Sequence, residues 1–398
     1  MLAICRLHPI SAVLTIALHG HLSAQFGLAG GAAATQRLLE HVGCRVIPHD
    51  LQLATHPSLL PSAASGSDAA PQLDLVHTNP NLLAAKPDLL NPAALQAPLR
   101  IGYWAWELEA FPEGWEPFCA DYDEIWCPSS FAAQALAQRS PVPVIAVPHL
   151  PDWPRLEALL QRRRQRRTGH DQPFRFLSLF DFWSTPERKN PLGAIQAFQL
   201  AFPPQDGAAV ELLIKTSSAE QFPEACAELM AAAAGDPRIH WLHELLSPAA
   251  MDDLLLSADT LLSLHRSEGF GLVLADAMVT ELPVIATGYS GNLDFMPPGS
   301  AALVRWQLQP ITRTCGDYRQ GWHWAEPDLA AAARAMRQLV QDPAAASALG
   351  QAGAAAVRER LSPERLGAIV RQRLGTLLLK PSRREALRHA PAALQALD

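Results

Sequence analysis

Short apolar segments with strand character alternate with helical segments along most of this chain, and this alternation restricts the fold more than any other feature. Repeated strand and helix units of this kind are typical of a doubly wound parallel sheet that is covered by helices on both faces. In the first half we predict helices at residues 30–41 and 130–138, and strands at residues 13–18, 45–48, 73–77, 100–104, 124–127 and 144–147.

A second series of units follows a basic run at residues 161–170. We predict helices at residues 192–202, 220–234 and 248–257, and strands at residues 174–180, 210–215, 239–242 and 261–264. The sequence therefore predicts an α/β protein with two Rossmann-like domains of doubly wound parallel sheet, at residues 1–165 and 166–375, followed by a helical tail at residues 376–398. A chain of 398 residues with 49% hydrophobic content is long enough to bury both cores.

Charge, cysteine spacing and hydropathy exclude several classes of protein. The net charge of −7 argues against general nucleic-acid binding. The six cysteines show no C-x-x-C spacing, which favours free thiols in a reducing cytoplasm. The apolar segment at residues 10–18 resembles a short signal peptide, but it leads into a glycine-rich loop and is better explained as a first strand. Because no run reaches the roughly 18 apolar residues of a membrane span, we expect a cytoplasmic protein, with at most peripheral contact at the inner face of the membrane.

The segment at residues 261–278 places a carboxylate, a glycine-rich turn and a second carboxylate after a buried strand. Glu268 begins the turn, and the helix that follows is predicted to start at Leu272, so that free backbone N–H groups face the cleft beyond the strand ends. Asp276 lies about two helical turns along the same face, so that one carboxylate is placed to bind a sugar and the other a ribose. The alternative is that Glu268 only caps the helix.

This segment resembles the Glu-x7-Glu signature of the retaining family 4 glycosyltransferases (glycosyl transferases group 1), with Glu268 first and Asp276 in place of the second Glu. The resemblance extends over about residues 11–375. It implies the GT-B fold, in which two Rossmann-like domains face each other across a cleft. It also implies a metal-independent enzyme without a cofactor, whose partners are a nucleotide-diphosphate sugar and a glycan or lipid-linked acceptor, in cell-envelope or exopolysaccharide synthesis.

The same resemblance assigns the phosphate-binding groups. Lys189 matches a Lys at the start of a helix that grips the donor diphosphate in the family, which stabilises the leaving group. Where the family usually has Arg, this chain has Ser184, so Arg188 is the substitute candidate. A solvated helix face is the alternative for Arg188 and Lys189. The predicted catalytic residues are thus Glu268, Lys189 and Arg188. Lys215 ends the next predicted strand, at the edge where ligands bind in such sheets, and is a candidate for a third charge; a solvated charge is the alternative there too. The predicted donor-binding residues are Gly27, Lys215, Gly269, Phe270, Gly271, Leu272 and Asp276.

The acceptor side is assigned to the end of the fourth predicted strand. Trp104, Trp106 and Glu107 stand in a Trp-x-Trp-Glu-Leu-Glu segment that resembles one in a bacterial subset of these enzymes. Aromatic faces stack on sugar rings and carboxylates bind hydroxyls, but two indoles packed in a core explain the pattern equally well. His77, at the end of the preceding strand, is a further acceptor-side candidate.

Other chemistries fit the sequence less well. Asp121 and Asp123 form a DxD pair, but the pair precedes a strand, so no metal site is predicted. Two competing functions stay open: a nucleotide-sugar epimerase of the same architecture, and a non-catalytic nucleotide-sugar-binding subunit of a polysaccharide assembly complex. The departures at Asp276 and Ser184 keep the second one open.

Overall fold

The computed structural model describes residues 13–56, 58, 70–165 and 172–379. Its first sheet is parallel throughout, in the order β2-β1-β3-β4-β5-β6. Every residue of the first, third, fourth and fifth strands is buried, which explains their continuous apolar character. The strands are β1 (Thr15–Gly20), β2 (Arg45–Asp50), β3 (Leu73–His77), β4 (Leu99–Tyr103), β5 (Glu124–Cys127) and β6 (Val144–Ala146).

The second sheet is also parallel, in the order β12-β11-β10-β7-β8-β9. Its strands are β7 (Phe174–Asp181), β8 (Val210–Ser217), β9 (Ile239–His243), β10 (Thr260–Ser263), β11 (Val284–Thr287) and β12 (Ala302–Val304). The strand order reverses between β7 and β10. In open sheets of this type, ligands bind beyond the carboxyl ends of the strands at such a reversal.

Helices cover both sheets. Those that follow strands of the first sheet are α1 (Gly27–His41), α2 (Pro80–Ala85), α3 (Ser130–Ala137) and α4 (Trp153–Gln165). Those later in the chain are α5 (Pro186–Lys189), α6 (Pro191–Ala201), α7 (Pro223–Ala232), α8 (Pro248–Ser257), α9 (Leu272–Val279), α10 (Leu329–Gln341), α11 (Pro343–Arg360) and α12 (Pro363–Leu378). The helix predicted at residues 220–234 begins later, at Pro223, because proline suits the first turn, where its missing N–H is not needed.

The last helix returns to the first sheet. Helix α12 packs on α1, where Gly367 lies against His41 and Val42. Arg373 of α12 forms an ion pair with the buried Glu124 of β5. Of the tail predicted at residues 376–398, the part beyond residue 379 lies outside the described residues.

Arginines of the basic run join α4 to helices of the second sheet. Arg163 donates to the carbonyl oxygens of Leu255 at 2.5 Å and Ala258 at 3.1 Å, where α8 ends, and Arg162 pairs with Asp253 at 2.5 Å. The two Arg163 hydrogen bonds satisfy carbonyl groups that the end of a helix leaves free. The rest of the run, from residue 166 to 170, lies outside the described residues.

An antiparallel hairpin lies between β12 and α10. It consists of β13 (Trp306–Pro310) and β14 (His323–Pro327), and we call residues 306–327 the hairpin. Its residues Ile311, Tyr318 and Trp324 are buried in the aromatic cluster that Trp104 and Trp106 form beside the first sheet. The hairpin thus follows the second sheet in the chain but completes a core of the first. No helix in the described part of the chain is both long and apolar enough to cross a lipid bilayer.

Candidate functional site

The short helix α5 presents two cations at the end of β7, and its backbone is unusual on both sides. Thr185, before α5, has a φ of 64°, and Asn190, after it, has a φ of 53°. Such conformations are costly for residues other than glycine and persist where the surroundings enforce them. The Asn190 side chain donates to the Leu264 carbonyl at 2.9 Å and accepts from the Gly193 N–H at 3.0 Å. These bonds fix the direction in which α5 projects its side chains.

Arg188, Lys189 and Glu268 form one buried ionic group, which we call the Glu268 cluster. The Lys189 ammonium donates to one oxygen of the Glu268 carboxylate, and Arg188 Nη1 lies 3.4 Å from the other. Arg188 Nη1 also donates to the Ser267 carbonyl at 2.9 Å. The Arg188 side chain is 5% exposed and that of Lys189 is 21% exposed, so the ammonium is the more accessible cation.

The three side chains of the Glu268 cluster shift one another's pKa values. Burial alone would raise the pKa of the Glu268 carboxyl, but Lys189 and Arg188 outweigh burial and lower it to about 2. Burial lowers the pKa of Lys189, although Glu268 opposes this change. Burial also acts against the charge of Arg188, but Tyr318, Glu107 and Glu268 together raise its pKa. The cluster therefore holds two cations and one carboxylate near neutral pH.

The backbone of Glu268 is held by the loop after β11, which the sequence did not single out as part of the site. The Glu268 N–H donates to Ser290 Oγ at 2.8 Å, and the Gly291 N–H donates to the Glu268 carbonyl at 2.9 Å. Ser290 has a φ of 77°. A Cβ at Gly291 would lie 2.2 Å from the Gly269 carbonyl oxygen, so only glycine fits there. The turn predicted from Gly269 to Gly271 is thus fixed by a second segment that packs against it.

His265 is a further residue that the motif did not reveal. It is fully buried behind the cluster, between Ser263 Oγ at 3.0 Å and Asn292 Oδ1 at 3.2 Å. Burial lowers its pKa to about 4, so its ring is neutral at pH 7. A single histidine after a strand carries no distinctive sequence signal.

Glu107 reaches the Glu268 cluster from the first sheet. Its carboxylate lies 3.9 Å from Arg188 Nη2 and accepts a hydrogen bond from the Tyr318 hydroxyl at 3.0 Å. Its backbone carbonyl accepts from Ser267 Oγ. The structure thus brings the predicted acceptor-side carboxylate next to the predicted phosphate-binding residues.

The two indoles of the same segment are not on a surface. Trp104 is 0% exposed and Trp106 is 2% exposed. Trp104 packs edge-on against Trp115 and Tyr122, and Trp106 packs against Trp115 and the hairpin. The prediction that these indoles stack on a sugar is contradicted, because both side chains are almost completely buried. The alternative of an indole pair in a core, which the sequence left open, is the one the structure shows.

His77 and the glycine-rich start of α1 lie on the same side of the site. His77 is 1% exposed and stacks on Tyr103 at 4.2 Å, and among the described residues neither of its ring nitrogens has a hydrogen-bond partner. Burial lowers its pKa well below the ordinary value, so the ring is neutral. A Cβ at Gly31 would lie 3.0 Å from the His77 ring, so α1 approaches the ring closely.

Two other contacts join the Glu268 turn and the start of α9 to the first half of the chain, one to the loop after β6 and one to α1. Phe270 meets His149 edge-on at 5.0 Å, and a Cβ at Gly30 would lie 3.1 Å from Leu272 at the start of α9. Gly27, the first residue of α1, has open space around its Cα. The predicted donor-binding glycines therefore lie where two helix N-termini converge.

The remaining two predicted donor residues differ in their surroundings. Lys215, in β8, is 8% exposed; burial lowers its pKa and Asp181 opposes this. Asp276 is engaged by Arg155 of α4, which also donates to Asp252 at 2.6 Å. Burial raises the pKa of Asp276, and Arg155 only partly offsets this. A ribose at Asp276 would have to share the carboxylate with Arg155, a partner that no local motif indicates.

Metal-ligand types do not gather in this region. Within the described ranges, His, Cys, Asp and Glu side chains form no group of three that is placed to hold a metal ion. The predicted DxD pair is used structurally, since Asp123 accepts from the Arg100 N–H at 2.8 Å.

The part of the chain that carries this site matches a known protein family. Residues 185–356, which contain the whole Glu268 cluster, match the family model described as "Glycosyl transferases group 1". No curated protein matches the chain.

Three solved structures are similar in fold. Sucrose-phosphate synthase from Thermosynechococcus elongatus is 15% identical with a TM-score of 0.62, over 92% of this chain and 99% of that one. Anabaena HepE, solved with UDP and glucose, is 13% identical with a TM-score of 0.58, over 91% and 99%. S. aureus TarM is 13% identical with a TM-score of 0.52 over 77% of this chain, which spans just over half (55%) of TarM. Together with the two parallel six-stranded sheets, these similarities confirm the predicted GT-B fold.

Proposed function

We propose that this chain is a retaining, metal-independent glycosyltransferase that moves a sugar from a nucleotide-diphosphate sugar to a glycan or lipid-linked acceptor. The observation that carries the proposal is the Glu268 cluster at the carboxyl edge of the second sheet, next to Glu107 of the first. The family match over residues 185–356 and the UDP and glucose in HepE support a nucleotide sugar as donor. A cytoplasmic location, peripheral membrane contact and a role in cell-envelope or exopolysaccharide synthesis belong to the same proposal.

In this mechanism the cations hold the donor diphosphate. As the bond between the anomeric carbon and the diphosphate oxygen breaks, Lys189 and Arg188 stabilise the negative charge on the leaving group. The acceptor hydroxyl forms its bond to the anomeric carbon on the same face, and its proton passes to the departing diphosphate. Glu268 stabilises the positive charge that develops on the sugar, so no enzyme nucleophile is needed.

A thermal-shift screen tests the donor site. UDP-, GDP-, ADP- and dTDP-sugars are added to wild type, to Lys189→Ala and to Lys86→Ala. Lys86 is a matched control because it is an exposed lysine at the end of α2, outside the segments that form the cluster. A ligand that binds only the folded state raises the melting temperature. We expect one donor to shift wild type and Lys86→Ala but not Lys189→Ala. No shift with any donor would contradict the proposal.

Product analysis tests the finer assignment. The anomeric configuration of the glycoside, followed by NMR with the donor found in the screen, should be the same as in the donor. Activity should persist after EDTA treatment. An inverted product or complete loss of activity with EDTA would reject retention or metal independence, while leaving nucleotide-sugar transfer in place.

One observation favours a second candidate, a non-catalytic nucleotide-sugar-binding subunit. Asp276 is already engaged by Arg155, and Ser184 supplies no cation. A donor that shifts the melting temperature without any glycoside product or released nucleoside diphosphate would support this candidate. Nucleoside diphosphate released without a glycoside would instead support the epimerase.

A further inference from the structure

The segment that joins the two strands of the hairpin reaches the first sheet and its loops. Asp317 accepts from the Asn81 side chain at 2.7 Å, and Arg319 pairs with Glu113 at 2.7 Å. The turn itself is closed by two backbone hydrogen bonds of 3.0 Å between Cys315 and Tyr318. This joining segment, residues 311–322, which we call the tip, is therefore held in a defined position.

The tip also lies directly beside α5. A Cβ at Gly316 would lie 3.0 Å from Thr185 Oγ1, just before the helix that carries the two cations. Arg313 pairs with Glu187 of α5 at 2.9 Å. The tip thus contacts the segment that presents the cations as well as the first sheet's loops.

Tyr318, in this turn, contacts members of both sides. Its ring lies 5.8 Å from the ring of Trp106, and the guanidinium carbon of Arg188 lies 5.8 Å from its ring centroid. Its hydroxyl donates to Glu107 at 3.0 Å, and the residue is 6% exposed. Tyr318 is therefore in contact with both the cation and the carboxylate that meet across the domain boundary.

Few contacts fix the positions of the Arg188 guanidinium and the Glu107 carboxylate relative to each other. Arg188 Nε has no hydrogen-bond partner among the described residues, so its guanidinium is oriented through Nη1, Nη2 and the ring beneath it. Glu107 Oε1 lies 3.9 Å from Arg188 Nη2, which is longer than the roughly 2.7–2.9 Å of a hydrogen-bonded ion pair. A carboxylate in direct contact would compete with a donor phosphate for the same cation.

We propose that Tyr318 is a positioning residue of the donor site: its ring supports the Arg188 guanidinium, and its hydroxyl holds Glu107 back from that cation. The proposal rests on the proposed function, because it concerns the affinity of the same cations for a diphosphate. It assigns a role to a hairpin residue that lies outside the Glu268 turn and α5.

Four single variants and one double variant separate the two parts of this role. Tyr318→Phe keeps the ring and removes the hydroxyl, and Tyr318→Leu removes both. Trp322→Phe is the matched control, because Trp322 also packs on Trp106 from the hairpin. Glu107→Gln, alone and with Tyr318→Phe, removes the competing charge. Titration calorimetry with UDP, GDP, ADP and dTDP measures affinity, and melting temperature measures folding.

A cation over an aromatic ring contributes about two- to thirtyfold to an equilibrium constant. We therefore expect Tyr318→Leu, which loses the ring, to weaken binding of the nucleoside diphosphate about tenfold. Tyr318→Phe keeps the ring but frees Glu107 to compete for Arg188, so it should weaken binding about threefold. Trp322→Phe should leave affinity unchanged even where it lowers the melting temperature. In the Glu107→Gln background, Tyr318→Phe should have no further effect, a coupling that a merely structural role would not produce.

Three outcomes overturn the inference. If Tyr318→Leu binds the nucleoside diphosphate as tightly as Trp322→Phe, the ring does not position the cation. If Tyr318→Phe weakens binding equally with Glu107 and with Gln at that position, the hydroxyl does not act through the carboxylate; this comparison also decides the case if the Leu variant does not fold. If wild type binds none of the four nucleotides, the proposed function fails and the inference fails with it.

Discussion

Substitution of Glu268 by Gln should change how the stability of the protein depends on pH. The carboxyl has an ordinary pKa of 4.5 and a pKa of about 2 in the folded protein, because Lys189 and Arg188 outweigh its burial. At about 1.4 kcal/mol for each tenfold change, this corresponds to about 3 kcal/mol of stabilisation at neutral pH. The pKa is depressed, so the stabilisation is fully present above pH 4.5 and is lost as the pH falls towards 2. About 1 kcal/mol should remain at pH 3.

The assay is chemical unfolding of wild type and Glu268→Gln at several pH values from 7 to 3. The difference in unfolding free energy between the two proteins should be constant down to about pH 5 and then shrink by about 2 kcal/mol by pH 3. Glu364→Gln, in the exposed first turn of α12, is measured alongside to report the effect of the same charge change at the surface. A difference that stays the same from pH 7 to pH 3 would refute the ion pairing described for the cluster.

Four further predictions follow from single contacts. Lys189→Met should lower kcat at least a hundredfold in a transferase assay, because it removes the more accessible cation that stabilises the leaving group. His77→Phe keeps the stacking on Tyr103 but removes two ring nitrogens that have no hydrogen-bond partner in the described part of the chain. Because His77 is an acceptor-side candidate, activity should fall about tenfold with the melting temperature preserved. Trp106→Ala should destabilise the protein by about 3–5 kcal/mol in denaturant titrations, because it opens a cavity beneath the hairpin. Gly291→Ala should cost about 1–3 kcal/mol and also lower activity, because its methyl group would displace the Gly269 carbonyl; unchanged activity would show that the turn tolerates movement.

The sequence predicted the sheets well because their strands are locally encoded. Strands β3 and β5 have the predicted bounds, and both are continuous buried runs. Strand β1 begins two residues later than predicted, since Val13 is 62% exposed and does not join the sheet. The hairpin was not predicted, because its apolar residues are buried by a core that belongs to the first sheet, far away in sequence.

The same distinction between local and distant contacts applies to the site. Glu268 and Lys189 stand in short motifs with a chemical reason for their spacing, and the structure brings them together. The partners that complete the site come from distant segments: Ser290 from the loop after β11, Tyr318 from the hairpin, and Arg155 from α4. The burial of Trp104 and Trp106 could not be predicted from the sequence, because an indole next to a carboxylate is equally typical of a core and of a sugar-binding surface.

The return of α12 to the first sheet limits how the protein can be recombined with others. A chimera that exchanges everything after residue 165 would also exchange α12 and the hairpin, although both pack on the part that was kept. The buried Glu124 would then face a foreign helix in place of Arg373, which leaves a charge unpaired unless the new helix happens to supply a cation. A graft of donor specificity is better bounded at residues 172 and 361, with residues 362–378 and the hairpin residues Ile311, Tyr318 and Trp324 retained from the parent that supplies the first sheet.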